Sequence, residues 1–111
     1  MNNNRISREE LLLTQAALIA LRGTCGRLKV GCVITREGRV IATGYNGPLK
    51  TEGHCDMQCL GFSGDGCKSA VHAEANAIAH AARYGIALAG AEIWTTHCPC
   101  RDCSELIIQA G

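Results

Sequence analysis

Two short segments of the chain carry side chains suited to holding a metal ion. One is His72-Ala73-Glu74, the other Pro99-Cys100-Arg101-Asp102-Cys103. On a helix, Cys100 and Cys103 are one turn apart, so both sulfurs face the same way. A helix start offers unpaired N–H groups and a partial positive charge, which favour thiolate over thiol. His72, Cys100 and Cys103 make three protein ligands and leave a fourth tetrahedral position open. That is the pattern of a catalytic zinc rather than a closed structural one. Glu74, two residues from a ligand, can reach a water in the open position, take its proton and pass it to a ring nitrogen and a leaving amine. Taken singly, a C-x-x-C pair also fits a redox site or half a zinc finger, and H-A-E arises by chance. A structural zinc module and a thiol redox protein therefore stand as alternatives.

These residues need elements to position them. Residues 7–22 read as a helix, with Ser7 and Glu10 at capping-box spacing and Leu13, Ala16, Ala17, Ala20 and Leu21 on one face. Leu28 to Thr35 and Val40 to Tyr45 read as strands, joined by a hairpin turn at Arg36-Glu37-Gly38-Arg39. Residues 46–69 contain Gly47, Gly53, Gly61, Gly64 and Gly66 and break any period. Cys55, Cys59 and Cys67 lie among them, and a metal can replace a missing local core there. Val71 to Tyr84 returns to helical spacing, with Ala75, Ile78, Ala79 and Ala82 apolar and Gly85 at the C′ position. Ala91 to Thr96 reads as a buried strand. Pro99 opens a last helix whose inward side is Cys103, Leu106 and Ile107. The order α-β-β-α-β-α predicts an α/β layered domain, and no repeat or linker divides residues 1–111.

Composition narrows the function. A chain of 111 residues builds one modest core. Hydrophobic residues make 47% and aromatics 4%, so that core is Ala, Leu, Ile and Val. A net charge of +1, with no basic patch interleaved with aromatics, argues against nucleic acid. No apolar run approaches the roughly 18 residues of a membrane span. Met1 to Arg5 lacks the apolar core of an export signal, so the expected location is the cytoplasm. In that compartment eight cysteines point to metal or reactive thiols rather than a disulfide framework.

The H-x-E and P-C-x-x-C pair is the signature of the zinc nucleobase deaminases. At these residues the chain resembles the cytidine deaminase-like superfamily, and more narrowly the deoxycytidylate (dCMP) deaminases. The narrower resemblance rests on Lys29-Val30-Gly31-Cys32-Val33-Ile34, Thr43-Gly44-Tyr45-Asn46-Gly47-Pro48 and His54-Cys55-Asp56. It continues through His72-Ala73-Glu74-Ala75-Asn76-Ala77-Ile78, Ala82-Arg83-Tyr84-Gly85 and Thr95-Thr96-His97-Cys98-Pro99-Cys100.

The resemblance implies a three-layer α/β/α fold around a mixed sheet. It implies a hydrolytic reaction at C4 of the cytosine ring, turning dCMP into dUMP with release of ammonia. Glu74 would be the catalytic acid–base, and His72, Cys100 and Cys103 the zinc ligands. Asn46, Asn76 and the Thr96 carbonyl would contact the nucleotide. Arg27, and secondarily Lys29, are candidates for its 5′-phosphate, with an ordinary solvated strand end as the alternative. Such enzymes are often homo-oligomers, dimers or hexamers, regulated by dCTP and dTTP with Mg2+. The Gly44–Pro48 turn and Arg83 match family positions tied to that regulation. A second, structural zinc is implied at Cys25, His54, Cys59 and Cys67, with Cys55 competing for one place and reduced free thiols as the alternative. Cys32 is expected to be a small buried hydrophobe and Cys98 to have no metal role. His80 is expected at a helix surface or pocket edge, and His97 in a structural hydrogen bond. In the family, two further strands and a helix follow the stretch that ends here at Gly111, completing the sheet and adding an aromatic pocket wall. The competing functions are deamination of another cytosine compound, and a zinc-structured module without catalysis.

Overall fold

The computed structural model describes residues 4–49, 62–63, 66–67 and 70–111. The first helix, α1, spans Arg8–Ala20. Half of the capping box forms: Ser7 Oγ accepts from the Glu10 N–H at 3.0 Å, while Glu10 Oε1 accepts from the Ser7 hydroxyl at 3.1 Å. The buried side is Leu12, Ala16 and Ala20, spaced one turn apart. This corrects the expected face, because Leu13 and Leu21 are 44% and 67% exposed. Leucine and alanine occupy nearly every side of α1, so periodicity alone does not select the buried one.

Strand β1 (Gly31–Arg36) pairs antiparallel with β2 (Arg39–Tyr45). Glu37 and Gly38 both take positive φ, 53° and 79°, as a tight hairpin between right-twisted strands requires. Two further strand pairs are short. β3 (Gly47–Pro48) pairs with β6 (Ala70–Val71), and β4 (Phe62–Ser63) with β5 (Gly66–Cys67). The stretch over 46–69 that breaks any period thus contains β3 at its start and β4 and β5 in its second half, with β6 just beyond it.

Helix α2 covers Ala73–Arg83, strand β7 Glu92–Thr95 and helix α3 Arg101–Gln109. Gly85, at φ 69°, ends α2 as expected. The face of α2 is a correction: Ala73, Ala77 and Ala81 are buried, while Ala79 and Ala82 point out. A helix so rich in alanine shows little contrast between its faces. Pro99 does not open α3; it precedes Cys100, which takes the cap.

The main sheet runs β2-β1-β7, and both pairings are antiparallel. The parallel pairing of the expected mixed sheet does not occur among the described residues. Gly31 to Thr35 are all buried, the mark of a central strand covered on both faces. Alternation assigns the faces. Cys32 and Ile34 pack with Ala42, Ala73, Ala77 and Ala81 under α2. Gly31 lies under α1, where an added Cβ would stand 2.9 Å from Ala20 Cα. Helix α3 packs beside α2, so the layers are α/β/α. Among the described residues, no helix is long and apolar enough to cross a membrane.

Gly44, the partner of Cys32 across the hairpin, sets how closely α2 approaches. A Cβ there would collide with the Ala73 carbonyl oxygen and stand 2.7 Å from Ala77 N. The opposing atoms are helix backbone and cannot swing aside. Gly44→Ala is therefore expected to destabilise the fold by about 1–3 kcal/mol, the usual scale of overpacking. A urea midpoint equal to the parent's would show that α2 stands further from the sheet than described.

Candidate metal centre

The starts of α2 and α3 converge. His72 is the N-cap of α2 and Cys100 the N-cap of α3, both with extended backbone. The imidazole of His72 makes no capping bond to its own helix. Its Nδ1 lies 3.4 Å from Cys100 Sγ and 3.4 Å from Cys103 Sγ. The three donor atoms fall within 4.8 Å of one another. Bonds of about 2.1 Å to nitrogen and 2.3 Å to sulfur at a tetrahedral angle hold such donors roughly 3.6 Å apart. The arrangement fits zinc in distance and in donor chemistry. It is also the one group of this kind among the described residues. Cys32 and Glu74 fall outside it, so three ligands are supplied and one corner is left.

Both helix starts contribute N–H groups to the sulfurs. The Cys103 N–H donates to Cys100 Sγ at 3.4 Å. The Ala75 N–H, in the first turn of α2, donates to Cys103 Sγ and favours its thiolate. Against that, burial pushes the metal-free Cys103 thiol up to about 12, helped by the Cys100 hydrogen bond and by the charges of Glu74 and Cys100. Metal uptake must displace that proton.

Glu74 is 4% exposed. Its carboxylate is therefore largely withdrawn from water, and it lies close enough to Cys103 to be felt there. Its charge acts on Cys103 and on Cys32.

The connection after β7 is tied to β1. The Thr96 N–H donates to Gly31 O at 3.0 Å, and Thr96 Oγ1 accepts from the Gly31 N–H at 3.1 Å. His97 makes the structural bond expected of it, with Nδ1 2.8 Å from Thr96 Oγ1. Cys98 is exposed and outside the donor group.

Asn46 does local work that its sequence context did not foretell. Its Oδ1 accepts from the Val30 N–H at 2.8 Å, and its Nδ2 donates to Leu28 O at 2.9 Å. One lone pair and one N–H remain for a ligand. Asn76 Nδ2 donates to Tyr45 O at 2.8 Å and Val71 O at 3.4 Å, leaving its Oδ1. Both amides line an open groove of about 880 Å³, with Thr24, Tyr45, His80 and Arg83. His80 thus sits at a pocket edge, its ring 4.8 Å from that of Tyr84. The Arg83 guanidinium lies 5.8 Å from the Tyr84 ring centre. Arg27 and Lys29 are exposed in the lead-in to β1. Of the second metal set, His54 and Cys59, with their competitor Cys55, lie outside the described residues. Cys67 is described only as part of β5, and Cys25 is half-buried.

Sequence reasoning undervalued two positions. Gly44 was one letter of a turn motif but sets the height of α2. Cys32 was a filler, yet its Sγ lies 3.4 Å from Ala73 O beneath the metal centre. The available signal was alternation along β1, which places Cys32 on the α2 side.

Comparison with known proteins gives one consistent picture. The family model for the cytidine and deoxycytidylate deaminase zinc-binding region matches residues 6–111. ComE operon protein 2 of Bacillus subtilis is 47% identical over 108 residues, spanning 96% of this chain and 57% of that protein. The chain thus spans little more than half the length of that relative. A deoxycytidylate deaminase of a Mycobacterium phage is 39% identical over 114 residues, spanning 93% of this chain and 88% of that one. The crystal structure of a cyanophage S-TIM5 dCMP deaminase in complex with dCMP and dUMP superposes with a TM-score of 0.79 at 33% identity. That match spans 96% of this chain and 79% of that one.

Two measurements check the geometry. His72→Ala should lose one equivalent of zinc per chain by metal analysis, and an unchanged content would place the ion elsewhere. The second concerns alkaline pH. Burial, then the charge of Glu74, pushes the Cys32 thiol from 9.0 up to about 12. In the metal-free chain the folded form keeps this proton to about pH 12, whereas the unfolded form releases it near 9.0. Over that window the unfolded state binds fewer protons, so stability must fall as pH rises. Urea midpoints taken in chelator should decline across it, and less steeply for Cys32→Ala. Equal slopes would count against the burial of this thiol.

Proposed function

The chain belongs to the cytidine and deoxycytidylate deaminase zinc-binding family, and on that premise we propose that it is a single zinc-dependent domain that hydrolyses dCMP to dUMP and ammonia. The observation that carries this reading is Glu74: a buried carboxylate whose charge is felt at Cys103, set beside three metal donors that leave one corner open.

His72, Cys100 and Cys103 would hold the zinc. When bound, it supplies Lewis acidity that lowers the pKa of a water from 15.7 to about 7. Glu74 takes one proton of the attacking water to the ring nitrogen, then carries the second, from the hydroxyl now on C4, to the departing amine. Water adds at C4, the C4–N bond breaks and ammonia leaves, so the protons balance with Glu74 restored. The low-dielectric surroundings of Glu74 strengthen each of these transfers. Thr96, fixed to Gly31 by two hydrogen bonds, presents its carbonyl to the exocyclic amine. Asn46 and Asn76 offer their remaining amide groups to the nucleotide, and Arg27 the charge for its phosphate.

We assign a dCTP or dTTP effector with its Mg2+ to the end of the open groove at His80 and Arg83, beyond the amides given to the substrate, in a homo-oligomer acting in the cytoplasm. A structural zinc at Cys25, His54, Cys59 and Cys67 would order the intervening segment.

Glu74→Gln should retain zinc while turnover of dCMP falls at least ~100-fold, the scale of lost acid–base catalysis. Ammonia release from dCMP, CMP, deoxycytidine and adenosine should favour dCMP. Retained turnover in Glu74→Gln would remove its assigned role. Ammonia from none of the four substrates would leave a zinc-structured module as the better reading.

A further inference from the structure

Cys32 is fully buried on β1, and its thiol donates to the Ala73 carbonyl across 3.4 Å. Directly across the hairpin from it is Gly44. Ala73 O therefore lies over a cross-strand pair of which one member has no side chain and the other offers a single donor. That oxygen belongs to the peptide linking Ala73 to Glu74. The Glu74 carboxylate leaves the same first turn of α2 one residue on, so the height of that turn sets where it stands. The charges of Glu74 and Cys103 are both felt at Cys32, which stands outside the donor group.

We infer that Cys32 is a positioning residue for Glu74: from the floor of the metal centre its thiol pins the first turn of α2 at Ala73 and so sets where the carboxylate sits. The inference rests on the role proposed for Glu74. Sulfur makes a weak donor. The contribution is therefore one of placement, where a shift of about 1 Å can cost up to ~100-fold in rate. Nothing in this role requires Cys32 to touch substrate or metal.

Three variants separate placement from bulk stability. Cys32→Ser keeps a donor of similar size, Cys32→Ala removes it, and Cys32→Val fills the space without one. In folded, zinc-loaded protein, Cys32→Ala and Cys32→Val should lower kcat for dCMP about 10-fold with KM within about twofold of the parent, and Cys32→Ser should recover most of the loss. Independently of turnover, an infrared difference spectrum of parent minus Cys32→Ala should show one S–H stretch displaced to lower frequency than an unbonded thiol. Parent-like kcat in Cys32→Ala and Cys32→Val, a Cys32→Ser as impaired as Cys32→Ala, or an undisplaced S–H band would each overturn the inference. If the parent itself turns over no dCMP, the proposed function fails, while the S–H band still decides whether Cys32 holds Ala73.

Discussion

The first turn of α2 rests on bare backbone. Because Gly44 has no side chain, the carbonyl of Ala73 descends onto the β1–β2 hairpin, and His72 and Glu74 descend with it. α3 packs beside α2, and its cap residue Cys100 meets His72 at 3.4 Å. The metal centre is therefore a consequence of helix height above a sheet. Small residues dominate the contact: Ala73, Ala77 and Ala81 on the helix, Gly44, Ala42 and Cys32 below. Bulkier residues would lift the helix and separate the imidazole from the two sulfurs.

Opposing electrostatic demands meet in the same few residues. The helix starts and their N–H groups favour thiolates, whereas burial and the Glu74 carboxylate disfavour them. In the absence of metal the second influence prevails at Cys103, whose proton is held to about 12. A divalent cation reverses the balance by supplying the charge that the carboxylate and two sulfurs need. The buried acid and the metal ligands are thus mutually dependent.

Much of this was legible in the sequence because it is local. The one-turn interval of Cys100 and Cys103, the capping pair Ser7 and Glu10, and the Glu37-Gly38 turn are each set within a few residues, and each occurs as read. The helix faces were not legible. In α1, leucines occupy exposed and buried sides alike, and in α2 alanine does the same, so contrast rather than period was missing. The hydrogen-bond partners of Asn46 and Cys32 were beyond reach for another reason, although the burial of Cys32 was legible. Their partners, Leu28, Val30 and Ala73, are backbone atoms 16 or more residues away, and backbone carries no letter.

The passage from α2 to β7 turns at Gly85 and again at Gly90, both with positive φ, and Arg36 Nη2 donates to the Ala89 carbonyl at 3.0 Å. It joins the end of α2 to the start of β7, whereas the donors stand at the start of α2 and after β7, so the number of residues between the two halves of the motif is not dictated by coordination. Insertions or deletions there would be absorbed by the loop. The interval is thus a poor ruler for recognising kindred sites, whereas two helix origins meeting over a glycine-floored hairpin are a sound one.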